Sequence, residues 1–208
     1  MAYSFGKFPV KVSARHIHLR QETLEKLFGA GHQVEPANGP ARGQFLSTDR
    51  VTIVGPKHTF ERVAVMGPCR NFDQFEMSAT DARMLGLPAV LRASGDIEGT
   101  PGVRVIGPAG EVTLEKGAIV AERHIHMGPN TAAANGLAEG DKVLMCVESE
   151  GRTTIFGDTA IHCNGPDNGG ALSHIDTDEG NTCFAGKDAV GYIIGKMEDL
   201  HRLFPDRE

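Results

Sequence analysis

The feature that most constrains this chain is a duplicated pentapeptide. Arg15-His16-Ile17-His18-Leu19 returns as Arg123-His124-Ile125-His126-Met127, and Thr23 recurs as Thr131 at the same offset of 108 residues. In both copies an apolar stretch precedes the motif and a short helical pattern follows it. Self-similarity at a fixed offset marks a duplicated supersecondary unit, so two related halves are expected. The 208 residues suffice for one large or two small domains at ~150 residues per domain, with ample chain to bury a core.

Turn formers then set the fold class. The 26 Gly and 11 Pro exceed the combined average of about 12% and cut the chain into short elements. Apolar or alternating runs at 10–13, 51–54, 63–66, 103–106, 112–114, 118–121, 142–147 and 153–156 read as strands of three to six residues. Gly55-Pro56, Gly67-Pro68 and Gly107-Pro108 each close such a run, because proline cannot join a central ladder. Helical pattern is confined to four places. Residues 21–28 put Leu24, Leu27 and Phe28 on one face and stop at Gly29. Ser78-Ala79-Thr80-Asp81 resembles a capping box and opens a turn or two ending at Gly86 and Pro88. Residues 130–135 follow Pro129, and 196–204 carry Met197, Leu200 and Leu203 at helical spacing. The expected class is mainly β with short helical caps.

In a strand, residues i and i+2 share a face. His16 and His18 therefore project side by side while Ile17 enters the opposite, apolar layer, and His124 and His126 form a second clamp around Ile125. Pseudo-symmetric packing of the halves would bring the pairs face to face, and four imidazoles around one point suit Zn²⁺ or a similar ion. Catalytic metal sites usually add a carboxylate and keep one position open. Glu76, flanked by Phe72, Phe75 and Met77, is the best carboxylate, since burying it without a partner would be costly. His174 is the best further imidazole, although Ser173-His174-Ile175-Asp176-Thr177-Asp178-Glu179 reads equally as a solvated acidic turn. Arg70 leaves the Gly67-Pro68 turn six residues before Glu76. It reads either as a bidentate phosphate clamp or as a surface arginine. His32, His58, His162 and His201 lack such context and read as surface or structural. Residues 94–102 read as a tight turn, without the strand-to-helix context of a P-loop or Rossmann turn.

Several classes of function are excluded. The net charge of −6 and the lack of any extended Lys/Arg run argue against a nucleic-acid partner. No apolar run approaches the ~18 residues that cross a bilayer, and residues 1–7 lack the basic and apolar regions of a secretory signal, so a cytoplasmic location is expected. Cys69, Cys146, Cys163 and Cys183 are scattered, with no C-x-x-C pair, which argues against a zinc ribbon or thioredoxin-type site and for buried thiols.

Taken together, 10–19, 54–57, 66–70, 74–78, 94–101, 123–127 and 174–181 resemble, in order and over almost the whole chain, the PduL-type phosphotransacylases, or phosphate propanoyltransferases. The resemblance implies two small pseudo-repeated β-barrels with a metal site between them. Residues 15–121 would form a central barrel, and 122–208 a second one completed by an N-terminal strand at 8–14. It implies reversible transfer of a short acyl group, acetyl or propanoyl, between coenzyme A and inorganic phosphate. Two zinc ions would be held by His16, His18, Glu76, His124, His126 and His174, with phosphate on catalytic Arg70. Val12, Ser13, Ala14, Lys57 and Asn181 would contact coenzyme A. A homodimer in the cytoplasm or inside a bacterial microcompartment is the implied setting. The chain departs from the family pattern at Ala64, where an arginine is common, and at 164–170, expected to be an enlarged loop near the site.

Two other readings use the same histidines. A zinc-dependent hydrolase of the metallo-β-lactamase type would want Asp two residues after the second histidine, where Arg20 stands. A non-catalytic metal-binding β-barrel of cupin type is invited by His16, His18 and Glu22, but Glu22 falls in a helical pattern and no second such motif follows. No Ser-His-Asp or Cys-His arrangement is evident, which favours direct attack by phosphate over a covalent acyl-enzyme.

Overall fold

The computed structural model describes residues 6–41 and 43–203. In chain order the elements are β1 (Phe8–Ser13), β2 (His16–His18), α1 (Gln21–Phe28), β3 (Phe45–Val54), β4 (Thr59–Gly67), β5 (Gln74–Glu76), α2 (Ala79–Leu85), β6 (Leu91–Arg92), β7 (Val103–Ile106), β8 (Glu111–Leu114), β9 (Ala118–Ala121), β10 (His124–Met127), α3 (Pro129–Ala134), β11 (Lys142–Glu148), β12 (Thr154–His162), β13 (Ala171–Asp176), α4 (Thr177–Cys183), β14 (Val190–Lys196) and α5 (Met197–Leu203). The fold is mainly β with short helices. Phe204, the end of the last helical pattern, lies outside the described residues, as do Met1 to Phe5.

The chain divides into two compact units at Ser13/Ala14 and at Ala121/Glu122. The unit spanning Ala14–Ala121 is an eight-stranded sheet in the order β6-β9-β5-β2-β4-β3-β7-β8. It is a curled half-barrel rather than the closed barrel implied for this half, because its edge strands β6 and β8 do not pair with each other. Its apolar centre is Ile17, Leu24, Leu27, Ile53, Val65, Phe75 and Leu85, all fully buried. The other unit closes into a six-stranded barrel in the order β1-β13-β10-β12-β11-β14. Ile125, Met127, Val143, Met145, Val147 and Ile161 fill it.

The repeat extends well beyond the pentapeptide. β2 runs parallel to β4 and antiparallel to β5, and β10 runs parallel to β12 and antiparallel to β13. Each parallel neighbour carries a residue at positive φ, Arg62 at 56° and Asp158 at 48°, where its pairing with the preceding strand shifts register. Such bulges bend a strand and raise its twist, and β4 and β12 continue through them for nine residues rather than the four expected at 63–66 and 153–156. The strand leading into each histidine pair belongs to the unit without that pair. β1 runs parallel to β13 and β9 runs parallel to β5.

The sheet positions each helix locally. The capping box of α2 is present, with Ser78 Oγ accepting from Asp81 N at 3.2 Å. A second one opens α4, where Asp176 Oδ1 accepts from Glu179 N at 2.8 Å; each cap is worth about 1 kcal/mol. The expected acidic turn at 176–179 is thus a helix start. α1 and α3 have no capping side chain of their own and are capped from a distance. Asp73 accepts from Arg20 N and Thr23 Oγ1, and Asp167 accepts from the backbone N of Asn130 and Thr131. A Cβ on Gly128 would lie 1.9 Å from Asp167 Oδ1, so only glycine fits at that N-cap. Of the four cysteines, Cys146 and Cys183 are buried and Cys69 and Cys163 are partly exposed.

Candidate active site

The two histidine pairs each acquire a third ligand-type side chain from the antiparallel neighbour. On β5, Glu76 stands opposite His16, and on β13, His174 stands opposite His124. Within His16, His18 and Glu76, and within His124, His126 and His174, the donor atoms all lie inside 4.8 Å of one another. The expected alternation holds: Ile17 and Ile125 are fully buried on the face opposite the imidazoles. Three protein donors with room for a fourth partner is the donor set of catalytic zinc sites. A further observation fits an ion. Nε2 of His16 and Nε2 of His18 converge on the Glu76 carboxylate, at 3.4 and 3.5 Å, as donors around one ion would.

Three of the rings are also held through Nδ1. His16 Nδ1 pairs with Ala14 O and His124 Nδ1 with Glu122 O, both at 2.9 Å, and His126 Nδ1 pairs with Asn164 Oδ1 at 2.5 Å. Such contacts fix the ring orientation of ligating histidines. Asn164 begins the loop expected near the site, so that loop supplies both an imidazole partner and, through Asp167, a helix cap.

Electrostatics in the Ala14–Ala121 unit centre on Glu76, whose oxygens lie 3.4 Å from His16 Nε2 and 3.5 Å from His18 Nε2. Burial alone would raise its pKa. The His18 hydrogen bond and the His16, His18 and Arg70 charges outweigh that and hold it well below the usual carboxylate range. Burial depresses His18, against the raising effect of Glu76, so at neutral pH the pair is a carboxylate beside a neutral imidazole. Burial likewise lowers His126. Neutral imidazoles and carboxylates are the forms that bind metal.

Arg70 is half-buried rather than a free surface side chain. Its Nη1 donates to Ser94 Oγ at 3.0 Å, and that hydroxyl donates to Glu76 Oε1 at 3.1 Å. Fully buried Gln74 donates to Glu76 Oε1 at 2.7 Å and to Ser94 Oγ at 2.8 Å, and accepts from Gly95 N. The tight turn expected at 94–102 therefore begins with a bridge between Arg70 and Glu76. Sequence reasoning missed Gln74 and Ser94; the only local signal for Gln74 was its i−2 spacing from Glu76.

The repeated arginines have matching roles. Arg15 lies over the Phe60 ring at 4.1 Å and pairs with Asp81 at 3.2 Å. Arg123 lies over Phe156 at 5.4 Å and pairs with Glu179 at 2.9 Å. Each acid is the N3 residue of the capping box after the strand that carries the third ligand-type residue. The residues expected at coenzyme A are spread. Val12 and Ser13 lie on β1, and α4 with Asn181 packs beside them, since a Cβ on Gly180 would lie 2.7 Å from Val12 Cγ1. Ala14 and exposed Lys57 belong to the other unit.

His162, read from the sequence as surface or structural, is set beside His126 by the parallel pairing of β10 with β12. Its ring centroid is 5.1 Å from that of His124 and 5.7 Å from that of His126.

Fold and site together define a two-unit β protein with a duplicated H-x-H motif, each copy completed by one further ligand-type residue. Residues 9–186 match the family model for phosphate propanoyltransferase, and the chain belongs to that family. It is 44% identical to phosphate propanoyltransferase of Thermotoga maritima over 89% of this chain and 88% of that protein. Similar values hold for those of Leptotrichia buccalis, at 44% over 94% and 88%, and Citrobacter rodentium, at 45% over 88% and 85%. The chain is accordingly an enzyme, a phosphate acyltransferase. Among the described residues no helix is long and apolar enough to cross a membrane.

Proposed function

We propose that the protein transfers a short acyl group, propanoyl or acetyl, reversibly between coenzyme A and inorganic phosphate, by direct attack of phosphate on the thioester. The observation that carries this reading is the Arg70-Ser94-Glu76 chain, which holds a guanidinium beside a three-donor metal-type group. A planar guanidinium fork suits a phosphate dianion. His16, His18 and Glu76 would hold one Zn²⁺ ion and His124, His126 and His174 a second; bound there, zinc would supply Lewis-acid polarisation.

Arg70 binds two phosphate oxygens and orients a third toward the carbonyl carbon, so that attack becomes effectively intramolecular. The new C–O bond forms as the C–S bond breaks. The coenzyme A thiolate leaves with the pair of electrons and takes up the proton released by hydrogen phosphate, giving acyl phosphate and free coenzyme A. Ser94 and Gln74 hold Arg70 and Glu76 in register. Val12, Ser13, Ala14, Lys57 and Asn181 are assigned to coenzyme A on the family resemblance, which also supports a homodimer and a place in the cytoplasm or a microcompartment.

The test is release of coenzyme A from acetyl-, propanoyl- and butanoyl-CoA with and without phosphate. Release that requires phosphate and yields acyl phosphate supports the reading. Release without phosphate would make the protein a thioester hydrolase instead.

A further inference from the structure

The histidine group of the barrel unit has a fourth imidazole beside it. We infer that His162, oriented by Glu139, is a fourth ligand of the ion held by His124, His126 and His174. The inference rests on the reading that this group binds a metal, and goes beyond it by closing the coordination shell.

Three observations converge. The first is ring spacing. Two imidazoles on one tetrahedral ion, with metal–nitrogen bonds of about 2.0–2.1 Å, have centroids roughly 5 Å apart. The centroids of His124, His126 and His174 are separated by 4.6, 5.4 and 5.4 Å. His162 stands 5.1 and 5.7 Å from His124 and His126, so it lies beside two of the three at a comparable spacing.

The second observation is the hydrogen bond behind the ring. His162 Nδ1 lies 2.8 Å from Glu139 Oε1, and the other carboxylate oxygen accepts from Cys163 N at 2.5 Å. A carboxylate bonded to one ring nitrogen is the usual support of a ligating histidine. It matches the contacts that hold Nδ1 of His124 and His126. The third is the tautomer. A carboxylate only accepts, so Nδ1 carries a proton and Nε2 is the ring nitrogen left to meet a metal.

His162 is not among the three donors that lie within 4.8 Å of one another.

Cobalt titration tests this. Apo protein is titrated with Co²⁺ by visible absorption in a His16→Ala background, which leaves the other group incomplete. His162→Ala should lower the Co²⁺ affinity about 10- to 100-fold and change the ligand-field band, and Glu139→Gln should give a smaller loss of the same kind. Unchanged affinity and an unchanged band in both variants would overturn the inference while leaving the three-histidine site standing. If the background protein takes up no Co²⁺ at all, the metal reading falls and the inference with it. Should His162→Ala fail to fold, His162→Asn and Glu139→Gln decide the matter, since both keep a polar side chain of similar size.

Discussion

Glu76 and His174 occupy equivalent positions in their sheets: each faces the first histidine of its unit's pair across an antiparallel ladder. The duplication thus kept the place of the third donor and changed its chemistry, giving one group a carboxylate and the other a third imidazole. Glu76→Gln removes the anionic donor while retaining a partner for Gln74 and Ser94. Metal content should fall by about one ion per chain, as a three-donor site loses a ligand, and acyl transfer on the order of 10²-fold or more. Elemental analysis with a coenzyme A release assay checks both.

Arg70→Lys keeps the charge but loses the fork. Charge-assisted hydrogen bonds are worth about 1.5–3 kcal/mol each, so the phosphate KM should rise about tenfold or more. The acyl-CoA KM and metal content should hold. Steady-state kinetics with phosphate varied at saturating acyl-CoA is the measurement, and an unchanged phosphate dependence would remove Arg70 from the site.

The Arg123–Glu179 pair carries a pH signature. Burial raises the Glu179 pKa and Arg123 pulls it back, leaving it above the usual value. For an acid whose folded pKa is raised, the fold favours the protonated form, so its contribution to stability declines as pH rises through the folded value. Arg123→Ala raises that value further. The variant's destabilisation should therefore be smallest near pH 4 and grow toward pH 7, where it should reach about 2 kcal/mol. Chemical denaturation across this range, with Glu179→Gln expected to flatten the difference, reads it out.

Chelation should abolish acyl transfer but leave the far-ultraviolet circular dichroism largely intact, because each unit has its own apolar core. The melting temperature should fall, since an ion that binds only the native state stabilises it by mass action. Added Zn²⁺ should restore both. Loss of all secondary structure would mean that the ions hold the fold rather than serve the reaction.

What was legible in the sequence was local. The two-residue period of a strand places His16 with His18 and His124 with His126, and the first helix and the Ser78 cap follow from near neighbours. Strands β7 and β9 match the expected runs because alternation and flanking turn formers bound them on both sides. β3 runs ten residues through polar Ser47 to Arg50, which broke the pattern; Ser47 is buried because its hydroxyl donates to Val65 O. α4 went unread because its Thr, Asp, Gly and Asn residues have low helix propensity, although the Asp176-x-x-Glu179 cap was there to be seen.

The sequence by itself determined that there would be two imidazole clamps on mainly β halves and singled out Glu76 and His174 as the further donors, which the resemblance also implies. Only the tertiary structure decided what surrounds them. Gln74 and Ser94 join Arg70 to Glu76, Asn164 and Glu139 brace imidazoles, and His162 stands beside His126, all through contacts between residues 18 to 38 positions apart. The physical reason is that strand pairing is set by register across closed loops, which depends on burial of whole faces and not on spacing along the chain.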